Sequence, residues 1–216
     1  MNRPPKAVLF DCDGVLVDSE VITNRIMLKE FAERCLDLTM DEMLEISLGN
    51  TMEGVAAEAA RRGARIEDKW VAQFYLKAFE ALEREVEAVP GVSDVIDRLH
   101  ARGVAMAVAS NGPVAKMQIT LRRAGLLDRL TPHIFSARDL AHPKPAPDIY
   151  LHAAAVLGVS PTECAVIEDS ASGAKAGQAA GMRCIGFAQA TDAAKLRPYC
   201  HDVVQDMTQV ATLLHV

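Results

Sequence analysis

From residue 92 to the end of the chain, short apolar runs alternate with amphipathic stretches of helical period. Such runs are typical of strands buried on both faces, because half-exposed strands alternate polar and apolar residues. Strands that alternate with helices form parallel sheets with helices on both faces, so the pattern predicts an α/β protein. The predicted strands are 7–10, 104–109, 133–135, 164–167, 183–187 and 203–204, and the predicted helices around them are 92–102, 113–124, 147–157, 171–180 and 207–214.

The stretch from residue 18 to residue 87 has a different composition. Charged and apolar residues mix at helical spacing, clusters of β-branched residues are scarce, and Gly49 and Gly63 divide the stretch into pieces. We predict about four helices here, inserted between the first strand and the next helix of the sheet. The predicted architecture is a Rossmann-like parallel sheet core, residues 1–17 and 88–216, with an inserted all-helical cap domain, residues 18–87.

Composition narrows the class of protein. Half of the 216 residues are hydrophobic, which is enough for a sizeable core, and the net charge of −6 comes without a Lys/Arg run that would indicate nucleic-acid binding. The five cysteines form no CxxC pair, which favours a reducing compartment. No apolar run approaches the ~20 residues that span a bilayer, and no signal-peptide pattern precedes the first strand. We expect a cytoplasmic monomer that binds neither nucleic acid nor membranes.

Polar residues with catalytic potential stand at or just beyond the ends of three predicted strands and in one proline-rich loop. They are Asp11 and Asp13, Ser110 and Asn111, Glu168 and Asp169, and the loop lysine Lys144. Any one of these motifs alone is more often a turn, a helix cap or a solvated side chain. The carboxyl ends of parallel strands meet at one edge of a sheet, so the fold would bring all four together. That edge would combine a nucleophile, an acid/base, a hydroxyl donor, a fixed cation and carboxylates for a metal.

These motifs, in this order, resemble those of the haloacid dehalogenase superfamily, in the branch that carries a helical cap after the first motif. The match consists of DCDGVLVDSE at 11–20, SNG at 110–112, the lysine of KPAP at 144 and ED at 168–169. It extends over nearly the whole chain. The resemblance implies an enzyme that acts on a small phosphorylated metabolite.

The roles that follow are those implied by the resemblance. Asp11 would attack phosphorus and form an aspartyl-phosphate, and it needs no base because a carboxylate is already ionised near neutral pH. Asp13 would protonate the leaving oxygen and then deprotonate the hydrolytic water. Lys144 would neutralise Asp11 and the developing charge, while Ser110 and Asn111 would bind the phosphoryl group.

The resemblance also implies Mg²⁺ as the cofactor. Its ligands would be oxygen atoms of Asp11, Asp13 and Asp169, with Glu168 as a further carboxylate and Asp13 contributing its backbone carbonyl.

The departures from other branches favour hydrolysis of a phosphate ester. Asp13 argues against dehalogenases, which lack it, and against phosphonoacetaldehyde hydrolases, which replace it with alanine. β-Phosphoglucomutase-like members use basic cap residues, whereas the cap loop at 47–54 contains no Lys or Arg and Thr23 stands where the mutase has a histidine. A hexose phosphate mutase stays open as an alternative, as does a non-catalytic phosphosugar-binding regulator.

A narrower similarity concerns the substrate. The segments 18–22 and 110–118, with Arg25, are similar to bacterial phosphatases that act on 6-phosphogluconate. Arg25 is either a surface residue or a cation directed at a substrate carboxylate. The sequence therefore predicts a Mg²⁺-dependent phosphatase for a small phosphorylated sugar or sugar acid, with 6-phosphogluconate as the first candidate.

Overall fold

The computed structural model describes residues 4–47, 50–189 and 191–216, and its centre is a six-stranded parallel sheet. The strands are β1 (Ala7–Phe10), β2 (Ala105–Ser110), β3 (Ile134–Ser136), β4 (Cys164–Glu168), β5 (Arg183–Phe187) and β6 (Asp202–Val204). Their spatial order is β3-β2-β1-β4-β5-β6, and every neighbouring pair is parallel. The prediction of a Rossmann-like parallel α/β fold is confirmed.

Helices precede and follow these strands. They are α1 (Glu20–Ala32), α2 (Met40–Ser47), α3 (Met52–Arg61), α4 (Trp70–Glu85), α5 (Val92–Ala101), α6 (Val114–Arg123), α7 (Leu127–Leu130), α8 (Asp148–Leu157), α9 (Ala171–Ala179), α10 (Ala193–Leu196) and α11 (Met207–Leu214). Across the described parts of the chain, none of the helices combines the length and the apolarity that crossing a membrane requires.

The central strand β1 is buried on both faces. Val8 and Phe10 belong to one hydrophobic cluster, whereas Ala7 and Leu9 belong to the cluster on the opposite face, as the two-residue period of a strand requires. The chain leaves β1 for β2 on one side and later returns to β4 on the other side. A crevice opens between the carboxyl ends of strands at such a reversal, which is where open α/β sheets bind ligands.

The differences from the predicted elements have local causes. The strand predicted at 104–109 begins at Ala105, because the Val104 amide donates to the carbonyl of Leu99 at 3.0 Å and so closes the end of α5. Gly103, with φ +67°, makes that turn possible. The helices α7 and α10 were not predicted, since four residues are too few to show a helical period.

Helices α1 to α4 lie between β1 and α5 in the chain, and α1 and α4 pack together through aromatic residues. The ring of Trp70 stacks on Phe31 and Phe74, with centroid distances of 5.0 and 5.4 Å. The two connections to the sheet run side by side: the Asp18 amide donates to the Glu87 carbonyl, and the Val89 amide donates to the Leu16 carbonyl, both at 3.0 Å. Both connections therefore leave from the edge of the sheet at which β1 ends.

Candidate active site

Asp11 is the first residue after β1, and the sheet fixes its backbone. Its amide donates to the Ile167 carbonyl at 3.0 Å, which continues the β1–β4 ladder by one residue. The residue is only 8% exposed, and Lys144 Nζ donates to its Oδ1 at 2.5 Å. A buried carboxylate is thus held next to a buried ammonium at the crevice.

Lys144 lies in the loop before α8 and reaches back to the sheet. Besides Asp11, its ammonium donates to Glu168 Oε1 at 2.6 Å and to the Ala109 carbonyl at 2.8 Å. The Asn111 side chain fixes this loop, because its Oδ1 accepts from the Lys144 amide at 3.0 Å and its Nδ2 donates to the Lys144 carbonyl at 3.5 Å. Asn111, predicted to bind phosphate, is therefore engaged in holding the lysine loop.

Glu168, a predicted metal ligand, lies behind Lys144 and does not line the cavity. The side chain is fully buried, and Oε1 accepts from Lys144 and from the Tyr150 hydroxyl at 2.7 Å. The other oxygen, Oε2, accepts from the hydroxyl and the amide of Ser170 at 2.9 and 3.2 Å. With both oxygens occupied by donors, Glu168 is an anchor for Lys144.

Asp13 is paired with a second lysine, Lys116, which was not among the predicted site residues. Lys116, in the first turn of α6, donates to Asp13 Oδ1 at 2.8 Å, and the Ser19 hydroxyl donates to the same oxygen. A lysine in the first turn of the helix that follows β2 stands at the edge where the catalytic motifs meet. That position in the sequence is the signal that points to Lys116.

Ser110 is the last residue of β2 and is buried at the same edge. Its Oγ accepts from the Gly112 amide at 3.0 Å. The contact uses the hydroxyl as an acceptor, so its proton remains able to donate to an anion. Ser110 lies where the predicted phosphoryl contact requires it.

One cavity of about 100 Å³ joins these residues to the inserted helices. From the sheet side it is lined by Asp11, Asp13, Ser110, Asn111, Gly112, Lys116, Lys144, Asp169 and Ser170, and from the insert by Ser19, Glu20, Thr23, Asn24, Met27, Ser47, Asn50, Thr51, Met52 and Tyr75. All predicted site residues except Glu168 and Arg25 therefore line a single cavity. The catalytic, phosphate-binding and metal-binding roles assigned to them stay predictions.

Arg25 does not reach this cavity. Helix α1 turns Glu20, Thr23, Asn24 and Met27 toward it, which is the spacing of one helical face. Arg25 lies off that face, is exposed, and donates to Glu85 Oε2 at 2.5 Å. Arg25, predicted to meet the substrate, therefore lies outside the cavity, because the rotation of α1 directs its neighbour Asn24 inward instead.

The loop at 47–54, which the sequence analysis compared with the mutases, falls partly outside the described residues, since Leu48 and Gly49 are not among them. Asn50 and Thr51 from this loop line the cavity, and so does Thr23. The loop also contributes Ser47 and Met52, and none of these lining residues is charged, in agreement with the absence of Lys and Arg from the loop sequence.

Carboxylates outnumber ammonium groups in the cavity, and their pKa values reflect it. Burial raises the pKa of Asp11 to about 8, although Lys144 acts to lower it. Burial likewise raises the pKa of Glu20 to about 7 and that of Asp169 well above its usual range, with neighbouring carboxylates adding to both effects. Burial acts on Asp13 too, but Lys116 outweighs it and holds the Asp13 pKa below its ordinary value. The two lysines on the described wall of the cavity therefore do not balance its four carboxyl groups.

The residues present fit a hard divalent cation. The Oδ2 atom of Asp169 is buried and has no hydrogen-bond partner among the described residues. Gly14 brings the turn after β1 close to it, since a Cβ on Gly14 would lie 2.0 Å from that oxygen. The described residues contain no ready-made group of three His, Cys, Asp or Glu side chains around a metal. Mg²⁺ commonly binds through one or two carboxylates, with water and substrate phosphate completing its shell. Asp11, Asp169 and the Asp13 carbonyl meet this requirement.

We expect the free energy of unfolding of the metal-free protein to fall as pH rises from about 4 to about 8. Asp11 and Glu20 hold protons in the folded state over this range, while the unfolded chain releases them near its ordinary pKa values of 3.8 and 4.5, so rising pH favours unfolding. Mg²⁺ bound beside these groups would supply the positive charge that the lost protons no longer provide. The increase in Tm on adding Mg²⁺, measured against a chelator, should be larger at about pH 8 than at about pH 5.5, by roughly 5 °C. An equal Mg²⁺ effect at both pH values would contradict this assignment.

Comparison with known proteins places the chain in a family. Residues 5–181 match the family model of haloacid dehalogenase-like hydrolases. The chain is 32% identical to 6-phosphogluconate phosphatase of Escherichia coli K12 over 186 residues, which cover 84% of this chain and 82% of the relative. It is also 33% identical to the chloroplastic protein SUPPRESSOR OF QUENCHING 1 of Arabidopsis thaliana over 205 residues. This match covers 93% of the present chain but only 19% of that longer relative.

A solved structure extends the comparison to the fold. A family hydrolase from Deinococcus radiodurans, crystallised with bound phosphate and sodium, superposes with a TM-score of 0.81 at 33% identity and covers 99% of this chain and 97% of that one. The resemblance drawn from the four motifs is therefore confirmed. The chain belongs to the haloacid dehalogenase-like hydrolase family, as an enzyme similar over most of its length to a phosphatase of that family.

Proposed function

We propose that the protein is a Mg²⁺-dependent phosphatase that hydrolyses a small phosphorylated sugar or sugar acid through an aspartyl-phosphate on Asp11. The observation that carries the proposal is the pairing of each aspartate of the first motif with its own lysine, Asp11 with Lys144 and Asp13 with Lys116, in one cavity. 6-Phosphogluconate is the first compound to test because of the similarity to the phosphatase of that name. The position of Arg25 gives no support to a carboxylate-bearing substrate.

The cavity residues divide the chemistry between two steps. In its ionised form, which bound Mg²⁺ would favour over the protonated form of the metal-free protein, Asp11 attacks phosphorus. Lys144 shares the charge that moves from the Asp11 carboxylate to the phosphoryl oxygens. Asp13 is ionised in the free enzyme, which is the form that later deprotonates water. The negative charge of an arriving phosphate raises the pKa of Asp13, and so favours the protonated form that donates to the leaving oxygen.

Mg²⁺, held by Asp11, Asp169 and the Asp13 carbonyl, would offset the mutual repulsion of the phosphate and the carboxylates when bound. Ser110 donates its hydroxyl to a phosphoryl oxygen. The four inserted helices act as a cap, residues 18–87, that covers the core and excludes water from the cavity. The five free cysteines suit the reducing cytosol in which we place this reaction.

Replacing Asp13 with asparagine should slow hydrolysis in a manner that depends on the leaving group. Asparagine keeps the shape but cannot transfer a proton, so an alkyl phosphate, whose leaving oxygen needs that proton, should lose about 10²–10⁴-fold in kcat/KM. An aryl phosphate has a better leaving group, which needs the proton less, so the rate of its cleavage step should fall much less. The measurement compares p-nitrophenyl phosphate with a sugar phosphate under single-turnover conditions, where release of the alcohol reports the first step alone. Equal losses for the two esters would exclude Asp13 as the general acid.

The proposed function is tested by supplying purified protein and Mg²⁺ with a panel of phosphorylated sugars and sugar acids, 6-phosphogluconate included. Inorganic phosphate and isomerised sugar phosphate are both measured in each reaction. We expect stoichiometric phosphate release. Efficient conversion of β-glucose 1-phosphate, supplied with a bisphosphate primer, to glucose 6-phosphate with little free phosphate would establish the mutase instead. Absence of turnover of every ester, p-nitrophenyl phosphate included, would point to a non-catalytic binding protein.

A further inference from the structure

Asn24 lines the cavity and has no role in the proposed chemistry. Its side chain is 1% exposed, and neither Oδ1 nor Nδ2 has a hydrogen-bond partner among the described residues. Helix α1 places it on the cavity wall between Thr23 and Met27. Within the described part of that wall, the one other side chain with an orphaned buried atom is Asp169, for which the metal provides a reason.

A buried amide with two unpartnered polar atoms lowers stability, and an apolar residue such as its neighbour Met27 would avoid the loss. Native proteins leave few such groups, and each needs an explanation. A ligand that enters the cavity and pairs with both atoms would provide one.

The chemistry of the amide limits what that ligand is. Nδ2 donates and Oδ1 accepts, so a hydroxyl group, which both donates and accepts, can satisfy either atom, and two neighbouring hydroxyls can satisfy both. A carboxylate only accepts and would leave Oδ1 unpaired. The two ammonium groups on the described wall, Lys116 and Lys144, are already paired with aspartates and lie on the sheet side. The cap side around Asn24 therefore suits a neutral, hydroxylated group.

On the basis of the proposed function, we propose that Asn24 is a specificity-determining residue that binds a hydroxyl group of the substrate's carbon chain. The preferred substrates are then phosphate monoesters of polyhydroxylated alcohols or sugars. Esters of the same length without hydroxyl groups leave the Asn24 amide unpaired and bind less well, because a site built to hydrogen-bond a hydroxyl discriminates against analogues that lack it.

The test compares sorbitol 6-phosphate with n-hexyl phosphate, which has six carbons and no hydroxyl groups, in the presence of Mg²⁺. For the wild type, kcat/KM should favour sorbitol 6-phosphate. Asn24→Leu keeps the volume and removes both hydrogen-bonding atoms, so kcat/KM for sorbitol 6-phosphate should fall by about 10- to 100-fold, while that for hexyl phosphate stays within about threefold. Arg25→Leu is the matched control on the neighbouring position outside the cavity, and it should change neither.

A merely structural Asn24 gives a different pattern. Asn24→Leu would then alter both esters alike or neither, and either result overturns the proposal. If Asn24→Leu does not fold, Asn24→Ala carries the same comparison.

Failure of the proposed function can be recognised separately. A wild-type protein that hydrolyses no ester at all contradicts the proposed phosphatase activity but leaves the role of Asn24 in binding to be tested. In that case calorimetry with sorbitol 6-phosphate decides. Affinity at least about tenfold weaker for Asn24→Leu than for the wild type supports the assignment, and equal affinity or no binding to the wild type overturns it.

Discussion

Purified Asp11→Asn protein is expected to turn over phosphate esters at least about 10³-fold more slowly than the wild type, for alkyl and aryl esters alike. The asparagine keeps the shape of the side chain next to Lys144 but cannot form the acyl phosphate bond, and no leaving group, however good, replaces a missing nucleophile. The fold should persist, because Lys144 retains its second carboxylate partner, Glu168. Steady-state phosphate release is the measurement, and circular dichroism confirms folding.

The matched control is Asp37→Asn, the same chemical change at an exposed aspartate of the insert, which should leave turnover unchanged. A second readout separates the nucleophile from a metal ligand. Intact-mass analysis of acid-quenched wild-type reactions should show the added mass of one phosphoryl group, and the variant should show none. Near-wild-type turnover by Asp11→Asn, or a phosphorylated variant, would exclude Asp11 as the nucleophile.

Replacing Lys144 with methionine should both abolish activity and destabilise the fold. Methionine fills similar space but leaves Asp11 and Glu168 buried without their shared cation, and breaking a buried ion pair from one side typically costs about 3–5 kcal/mol. Urea denaturation without Mg²⁺ measures the loss in free energy of unfolding.

Lys6→Met is the control for this substitution. Lys6 pairs with Glu163 on the surface, where its side chain is 68% exposed, and such pairs contribute about 0–1 kcal/mol. A similar loss for both variants would mean that burial of the Lys144 cluster has no special energetic weight. A stable Lys144→Met protein with full activity would contradict its role in charge neutralisation as well.

The sequence by itself determined the sheet and the composition of its catalytic edge. Buried strands are short apolar runs that are visible without any tertiary information, and parallel strands all end at the same edge. For that reason Asp11, Ser110 and Asp169 could be expected in one place although about 160 residues separate the first from the last. Their assembly follows from topology and requires no knowledge of side-chain packing.

Only the tertiary structure decided which partner each of these groups takes. Glu168 and Asp169 are neighbours in the chain, yet a strand points adjacent side chains in different directions, so Glu168 meets Lys144 and Tyr150 while Asp169 faces the cavity. Lys116 is the partner of Asp13 because of the way α6 packs against the sheet, and this packing cannot be read from the sequence.

The inserted helices α1 to α4 show even more clearly that side-chain contacts cannot be predicted from the sequence alone. Helix α1 buries polar Thr23, Asn24 and Glu30 together with apolar residues, so its sequence has little amphipathic contrast and does not reveal which face turns inward. One residue along a helix is a rotation of about 100°, and that angle separates the exposed Arg25 from the buried Asn24. The rotation is fixed by packing of α1 against α4 and by the paired connections to the sheet, which are contacts between residues about 40 to 70 positions apart in the chain.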